Sequence, residues 1–257
     1  MERLNKFLAH AGVASRRQCD ALIAAGRVRI NDVVVTNLGT KVDPGNHKVY
    51  VDDALVKTES LVYWVVHKPP GYLCTNDDPG GRPKALDLIP HVSQRVYTVG
   101  RLDEASEGLL LMTNDGDLAN ALMHPRFEIE KTYLVWWPGP RPKTQHRNCS
   151  MGCGRGKVKA KSVKRLKGQG DSTWLQIVLS EGKNREIRRM LAKLDHKVMK
   201  LKRIAIGSVE LDKLPRGKCR KLSVNELAHL RRLVERSQKK IDEVRSRVAN
   251  DRGGEDF

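Results

Sequence analysis

The sequence has few aromatic residues and no long apolar stretch. Aromatic side chains make up 5% of the 257 residues, and hydrophobic side chains make up 39%. No apolar run approaches the roughly 18 residues that a membrane-spanning helix requires. Residues 1–6 (MERLNK) also lack the apolar segment of a secretory signal peptide. The sequence therefore predicts a globular protein of the cytoplasm with no membrane partner.

Cysteine is scarce and odd in number. The five residues are Cys19, Cys74, Cys149, Cys153 and Cys219. An odd set argues against a disulfide framework and is typical of a reducing compartment. Cys149 and Cys153 lie near His146, but a structural zinc site needs four ligands, and no second cysteine pair follows at zinc-finger spacing. Free thiols without a bound metal are predicted.

Negative charge is the other deficit. The chain has 48 lysines and arginines against 30 aspartates and glutamates, for a formal net charge of +18. Such an excess favours polyanionic partners, with nucleic acid first and an anionic membrane surface second.

The first 58 residues predict two short helices and a small sheet. Leu4, Phe7 and Leu8 fall on one face of the first helix, and residues 15–18 (SRRQ) form a capping box that begins the second. Residues 27–35 alternate like a hairpin with its turn at Asn31-Asp32. A basic cluster accompanies these elements: Arg16, Arg17, Arg27 and Arg29. It is either a solvated surface or, as we favour, a set of contacts to RNA phosphates.

This segment resembles an S4 RNA-binding domain. The resemblance is carried by residues 3–8 (RLNKFL), 11–17 (AGVASRR), 25–28 (AGRV) and Asn31. One departure is Asp32, where the family usually has glycine in the hairpin turn. Aspartate tolerates the left-handed conformation, so we expect the turn to form.

Residues 59–232 predict a second, α+β domain with a mixed, mainly antiparallel sheet flanked by helices. Short strands are expected at 64–67, 96–99, 128–135 and 173–179, with helices at 117–124 and after Asn184. Residues 138–160 are rich in lysine, arginine and glycine and fit no regular element. Residues 233–257 predict a charged helix and a disordered tail.

Residues 100–116 (GRLDEASEGLLLMTNDG) place one loop between two strands. The strand after Gly108 is apolar on both faces, which is typical of a buried strand. Asp103 therefore lies on a rigidly held loop. An aspartate in such a loop is most often a capping residue, so the position alone does not establish a function.

The same stretch resembles the active-site motif of the RsuA-type pseudouridine synthases. Residues 68–71 (KPPG), 131–133 (KTY) and 181–190 (EGKNREIRRM) resemble three further motifs of that family, in the same order. The resemblance implies that Asp103 is the essential aspartate, that Arg188 pairs with it, and that Tyr133 stacks on the target base. It also implies contacts to the RNA substrate from Arg101, Lys68, Lys183, Arg185 and Arg189, together with Arg16, Arg17 and Arg27 of the S4 segment. Neither a metal nor a cofactor is implied, and no glycine-rich phosphate loop is present to bind a nucleotide.

The resemblance points most closely to members that act on large-subunit (23S) ribosomal RNA. A small-subunit (16S) enzyme and a non-catalytic ribosome assembly factor are the alternatives. A DNA-binding protein is disfavoured because no recognition helix stands out. The substrate is expected to be ribosomal RNA or an assembling ribosomal subunit. A monomer is predicted because the sequence has no sustained heptad repeat.

Overall fold

The computed structural model describes residues 1–138, 160–169, 172–181, 185–192 and 197–252 of the chain. The chain divides into two compact units. The first holds Met1–Val62, Val92–Val96 and Asn114–Gly116, and the second holds the other described residues. The predicted irregular segment lies outside the described residues from 139 to 159.

The first unit contains two helices and two small sheets. Its elements are β1 (Glu2–Arg3), α1 (Leu4–His10), α2 (Arg16–Ala24), β2 (Val28–Ile30), β3 (Val33–Val34), β4 (Lys41–Val42), β5 (Val49–Val51) and β6 (Ala54–Leu55). β1 pairs with β4, and the other strands form a sheet in the order β3-β2-β5-β6. This is the predicted helix-helix-sheet pattern.

Local chemistry explains where α2 begins. The Ser15 side chain accepts a hydrogen bond from the Gln18 main-chain N–H, and the Gln18 side chain accepts one from the Ser15 N–H, as the predicted capping box requires. α1 and α2 pack on each other through Leu4, Leu8 and Ile23, which are fully buried. The hairpin turn also forms, but the left-handed residue in it is Asn31, with φ 51°, and not Asp32.

The second unit is built on a nine-stranded sheet. Its strands are β7 (Tyr63–Lys68), β8 (Tyr97–Val99), β9 (Glu107–Thr113), β10 (Lys131–Pro138), β11 (Ala160–Gln169), β12 (Ser172–Leu179), β13 (Lys200–Ile206), β14 (Val209–Glu210) and β15 (Cys219–Lys221). Seven of them follow the order β11-β12-β10-β13-β9-β7-β15, with β14 on β13 and β8 on β9. Among the described pairs only β9 with β13 is parallel, so the predicted mixed, mainly antiparallel sheet is confirmed.

Three α-helices and two 3₁₀ helices accompany the sheet in the described part of this unit. They are the 3₁₀ helix Ala85–Leu88, α3 (Gly116–Met123), the 3₁₀ helix Pro125–Phe127, α4 (Glu186–Ala192) and α5 (Val224–Arg252). One core cluster joins β9 to α3 and α5, for example through Leu109, Leu122 and Leu230. A second joins β10 and β12 to α4, for example through Val135, Ile177 and Leu191. The α+β fold class is confirmed.

The parallel pair β9–β13 depends on a glycine. A Cβ atom at Gly108 would lie 2.2 Å from the Arg203 main-chain oxygen and 2.5 Å from the Arg203 nitrogen. No side chain fits in that space, and Gly108 also has φ 119°, which other residues rarely adopt. Gly108 therefore allows the central strand to approach β13 directly after the loop that carries Asp103.

Some predicted boundaries were wrong for identifiable reasons. β10 begins at Lys131 and not at Glu128, because Pro125–Phe127 forms a 3₁₀ turn and Glu128 is left-handed with φ 52°. α5 includes residues 251 and 252, which were predicted to belong to a disordered tail. None of the helices in the described ranges has the length and apolar character to cross a membrane.

Candidate active site

A cavity of about 450 Å³ opens in the second unit beside the loop that follows β8. Asp103 and Arg101 line it from this loop, Tyr133 and Lys131 from β10, and Arg203 from β13. Apolar side chains complete the wall, including Val99, Leu102 and Ile187. The volume lies within the roughly 300–1,000 Å³ typical of small-molecule sites. The cavity therefore has room for one nucleotide base beside a carboxylate.

Lys68 holds the loop that carries Asp103 through its side-chain ammonium. The Lys68 side chain is fully buried, and its ammonium donates hydrogen bonds to the main-chain oxygens of Asp103 and Glu104 at 3.2 Å each. It also donates to the oxygens of Ser106, at 2.9 Å, and Pro69, at 3.1 Å. Burial lowers the pKa of Lys68, while the carboxylates of Glu104 and Asp103 and the Cys74 thiol oppose that shift. The predicted contact of Lys68 with substrate is therefore corrected, because its ammonium is enclosed by carbonyl oxygens of the protein.

Two further contacts fix the same loop. The Gly71 N–H donates to the Glu104 oxygen at 2.8 Å, and the Leu102 N–H approaches the Cys74 sulfur at 3.3 Å. The Leu102 side chain is buried in the core with α4. The 68–71 motif and the aspartate motif thus form one structural element, with the Asp103 side chain left 31% exposed at the cavity.

Two arginines face the Asp103 carboxylate. Arg188 Nε and Arg185 Nη1 each lie 3.6 Å from Asp103 Oδ2. Arg188 is the more buried of the two, with 16% of its side chain exposed against 55% for Arg185. Its other nitrogens donate to the Val198 oxygen at 3.2 Å and the Ser106 hydroxyl at 3.4 Å. Burial lowers the pKa of Arg188, but a guanidinium remains charged under all ordinary conditions.

Backbone conformation places these arginines. Arg185 has φ 48°, a left-handed conformation immediately before α4 begins at Glu186. Ile187, Met190 and Leu191 anchor the helix in the core, so the intervening Arg188 is directed toward the loop. The Arg188–Asp103 pair predicted from the resemblance is present in the structure.

Tyr133 is 9% exposed and packs in the core cluster with Val135 and Leu175. It lies opposite Arg203 in the β10–β13 register, next to an irregularity between Thr132 and Tyr133. Its side chain shares the cavity wall with Asp103, so the structure brings the three predicted catalytic residues, Asp103, Tyr133 and Arg188, to one place.

Comparison with known families agrees with this geometry. Residues 62–193, about half of the chain, match the model of the RNA pseudouridylate synthase family. This chain belongs to that family. Residues 2–47 of the synthase match the S4 domain, as the first segment predicted.

The synthase is similar to proteins of known name over most of its length. It is 41% identical to ribosomal large subunit pseudouridine synthase B of Bacillus subtilis, over 91% of this chain and 98% of that protein. It is 40% identical to the protein of the same name from Vibrio cholerae, over 91% of this chain and 75% of that one. A crystal structure of a pseudouridylate synthase superposes with a TM-score of 0.61 at 30% identity, covering 90% of this chain and 100% of that one.

The other residues predicted to contact RNA have different surroundings. Arg101 and Arg189 are exposed in the catalytic unit, and Arg16 and Arg17 are exposed in the S4 unit. Arg27 is also exposed, but it is held by Asp52 through a bidentate ion pair with one bond of 2.8 Å. That hydrogen bonding lowers the pKa of Asp52. Lys183 lies outside the described residues.

Two residues at the cavity of the synthase were not singled out from the sequence. Lys131 is only 9% exposed, and burial, with help from the charge of Arg203, lowers its pKa to about 8. Arg203 is 4% exposed and donates from Nε to the Leu109 oxygen at 2.7 Å. A signal for Lys131 was present in the 131–133 motif. Arg203 lies in an alternating basic strand that gives no such signal.

No cluster of three potential metal ligands occurs among the residues that the structure describes. The group considered for zinc, Cys149, Cys153 and His146, lies outside the described residues. Cys19, Cys74 and Cys219 are free thiols.

Proposed function

We propose that this synthase converts a uridine of large-subunit ribosomal RNA to pseudouridine, with Asp103 as the essential carboxylate. Its similarity to two proteins named ribosomal large subunit pseudouridine synthase B, at 41% and 40% identity, supports the choice of RNA. The S4 unit and the net charge of +18 support binding to a long polyanion. The substrate is the free RNA or an assembling subunit, and the enzyme acts as a monomer in the cytoplasm.

The first requirement of the reaction is that the target base enters the cavity. A uridine within a helix or a loop is stacked, so the enzyme must take the base out of its stack and hold it beside Asp103. In this proposal Tyr133 stacks on the extruded base from its fixed place on β10. Arg101 is exposed at the cavity wall and contacts the adjacent phosphate or occupies the place of the extruded base.

Asp103 then acts at the sugar. The bond between N1 and C1′ breaks, the base turns, and a bond forms between C5 and C1′. The carboxylate either attacks C1′ or removes a proton from the sugar, and both routes need it ionised. Arg188 places a fixed positive charge 3.6 Å from this carboxylate, and Arg185 places a second at the same distance.

Exposed cations bind the rest of the RNA in this proposal. Arg185, Arg189 and Lys183 act near the cavity, and Arg16, Arg17 and Arg27 act from the S4 unit. Arg27 contributes less than the other two, because a phosphate must compete with Asp52 for its guanidinium.

The observation that carries this proposal is the Asp103 carboxylate, fixed on a loop by Lys68 and faced by Arg188, at the wall of a base-sized cavity. The test is tritium release from unmodified 23S and 16S transcripts labelled at C5 of uridine, with wild type and Asp103→Asn compared. We expect release from the 23S transcript by wild type alone, with RNA affinity nearly unchanged in the variant. Mapping the product then identifies the uridine.

Other outcomes contradict specific parts of the proposal. Release from the 16S transcript only would make the small subunit the substrate. Equal loss of RNA binding and activity in Asp103→Asn would make Asp103 a structural residue. Tight binding of both RNAs by wild type without any release would favour the assembly factor.

A further inference from the structure

Two buried cations at the cavity are only partly satisfied by the described residues. Lys131 is 9% exposed and is attracted by the carboxylate of Glu186 on the same wall, but its ammonium forms no hydrogen bond among the described residues. Arg203 is 4% exposed, and its Nη2 has no hydrogen-bond partner among the described residues. A buried donor without an acceptor costs free energy, and more so when it is charged. Both side chains line the cavity beside Asp103, where an acceptor on the substrate could reach them.

From this arrangement we infer that Lys131 and Arg203 bind the carbonyl oxygens of the extruded uracil and stabilise the negative charge that the base acquires when N1 leaves C1′. This inference rests on the proposed function only in requiring a uridine substrate, and it holds for either ribosomal RNA.

The chemistry of the base explains why cations are needed there. When the N1–C1′ bond breaks, its electron pair stays with the base and is shared among N1, O2 and O4. C1′ is taken by the Asp103 carboxylate oxygen, or the sugar loses a proton to Asp103 instead. When the C5–C1′ bond forms, the bond between Asp103 and C1′ breaks, or, in the second route, Asp103 returns its proton to the sugar. The proton on C5 leaves and N1 takes up a proton, so the reaction is balanced without a redox partner. Donors that meet O2 and O4 hold the base more tightly as its charge develops, and therefore accelerate bond cleavage.

The strands place these two cations together. Arg203 lies opposite Tyr133 in the β10–β13 register, and Lys131 precedes Tyr133 by two residues on β10. Arg203 is fixed by its bond to the Leu109 oxygen on β9. The tyrosine proposed to stack on the base is therefore flanked by the two cations proposed to contact its oxygens.

A backbone phosphate is a less suitable occupant. Phosphates stay on the RNA strand outside the cavity, where Arg101 and Arg185 are exposed to meet them. Lys131 and Arg203 are almost completely buried among Leu102, Tyr133 and other wall residues. The same arrangement disfavours cytosine, which presents an amino group where uracil presents O4.

The charge of Lys131 provides a pH signature. Its pKa is lowered to about 8, by burial first and by Arg203 second, while Glu186 opposes the shift. The other charged or titratable side chains on the wall are Asp103, Tyr133, Arg101 and Arg185. Above about pH 8 the free enzyme loses the ammonium charge, so kcat/KM should fall there. An arginine at the same position keeps its charge and should remove that fall.

The test uses single-turnover tritium release from whichever ribosomal transcript the wild type modifies. We expect Lys131→Met to slow release by about 100-fold or more, as removal of a donor to a developing anion does elsewhere. Lys131→Arg should recover much of the rate and show no fall in kcat/KM above about pH 8. Arg203→Lys should also release tritium more slowly than wild type. Lys200→Met, an exposed position on β13, should match wild type.

RNA affinity and Tm are measured for each variant. An unchanged rate in Lys131→Met would overturn the inference, and so would a loss of rate matched by an equal loss of affinity or folding. If wild type releases no tritium from either RNA, the proposed function fails. The inference is then tested by the binding of uridine 5′-monophosphate to the protein. Loss of its preference over cytidine 5′-monophosphate in Lys131→Met would support the inference, and equal binding of both nucleotides by wild type would contradict it.

Discussion

The side-chain ammonium of Lys68 lies 3.2 Å from the main-chain oxygen of Asp103 and the same distance from that of Glu104. A fully buried cation thus binds main-chain oxygens of the loop that carries Asp103, the residue proposed to start the reaction. Carbonyl oxygens that converge on one point repel one another unless a donor satisfies them. Lys68 therefore fixes the conformation of the loop and with it the position of the Asp103 carboxylate.

Lys68→Met should slow isomerisation without weakening RNA binding. Methionine has a similar length but donates no hydrogen bond, so the loop carbonyls lose their shared donor. A displacement of the carboxylate by about 1 Å is enough to cost roughly 100-fold in rate. Single-turnover tritium release and filter binding measure the two effects, and Lys213→Met, at an exposed position, is the control. A loss of RNA affinity at unchanged rate would instead restore the direct substrate contact first predicted for Lys68.

The sequence predicted the position of Asp103 but not what supports it. The apolar run after Gly108 was enough to place a rigid loop before a buried strand, and the resemblance supplied Arg188 and Tyr133. The resemblance placed Lys68 in contact with the substrate, whereas its ammonium bonds carbonyl oxygens of the protein. Its burial depends on carbonyl groups 35 to 38 residues later in the chain. Such tertiary contacts leave no periodic pattern in the sequence.

The elements of the fold also differ in how well the sequence predicted them. The hydrophobic pattern and the capping box predicted α2 and the buried strand β9, because both depend on neighbouring residues. The start of β10 was missed because Glu128 adopts a left-handed conformation that only the tertiary structure imposes. Arg203 was missed because alternating basic residues normally face solvent, whereas here the strand is central to the sheet and the side chain is buried.

Arg188→Lys should slow the reaction strongly even though it keeps the positive charge. The guanidinium of Arg188 faces Asp103 through Nε while its other two nitrogens bond Val198 and Ser106. A lysine has one nitrogen and cannot keep all three contacts. We expect the single-turnover rate to fall by about 100-fold, with Tm and RNA affinity close to wild type. Arg232→Lys on α5 is the matched control, and a wild-type rate in Arg188→Lys would show that charge alone suffices.

Gly108→Ala should unfold or severely destabilise the catalytic unit. The added Cβ would lie 2.2 Å from the Arg203 oxygen, and the parallel pair β9–β13 would have to separate. We expect a loss of about 4 kcal/mol or more in the free energy of unfolding, measured with denaturant. Gly217→Ala is the matched control, because Gly217 also has a positive φ, of 73°, but open space around it. Its cost should stay near 1 kcal/mol, the value expected from backbone strain alone. Equal effects of the two changes would attribute the loss to φ rather than to the close approach of the strands.

Arg16 and Arg17 should carry more of the RNA affinity than Arg27. Both are exposed without an ion pair to any described residue, whereas Arg27 is already bound by Asp52. Replacing Arg16 and Arg17 together with alanine should reduce the slope of log affinity against log salt by about 1.4 to 1.8, as expected for two lost phosphate contacts. Arg27→Ala should change the slope by less, because a phosphate must displace Asp52 from the Arg27 guanidinium. The chemical step at saturating RNA should stay at the wild-type rate in both variants, which single-turnover release measures alongside binding. An unchanged slope in the double variant would remove this surface of the S4 unit from the RNA contact, and an equally large change in Arg27→Ala would show that Asp52 yields its partner at no cost.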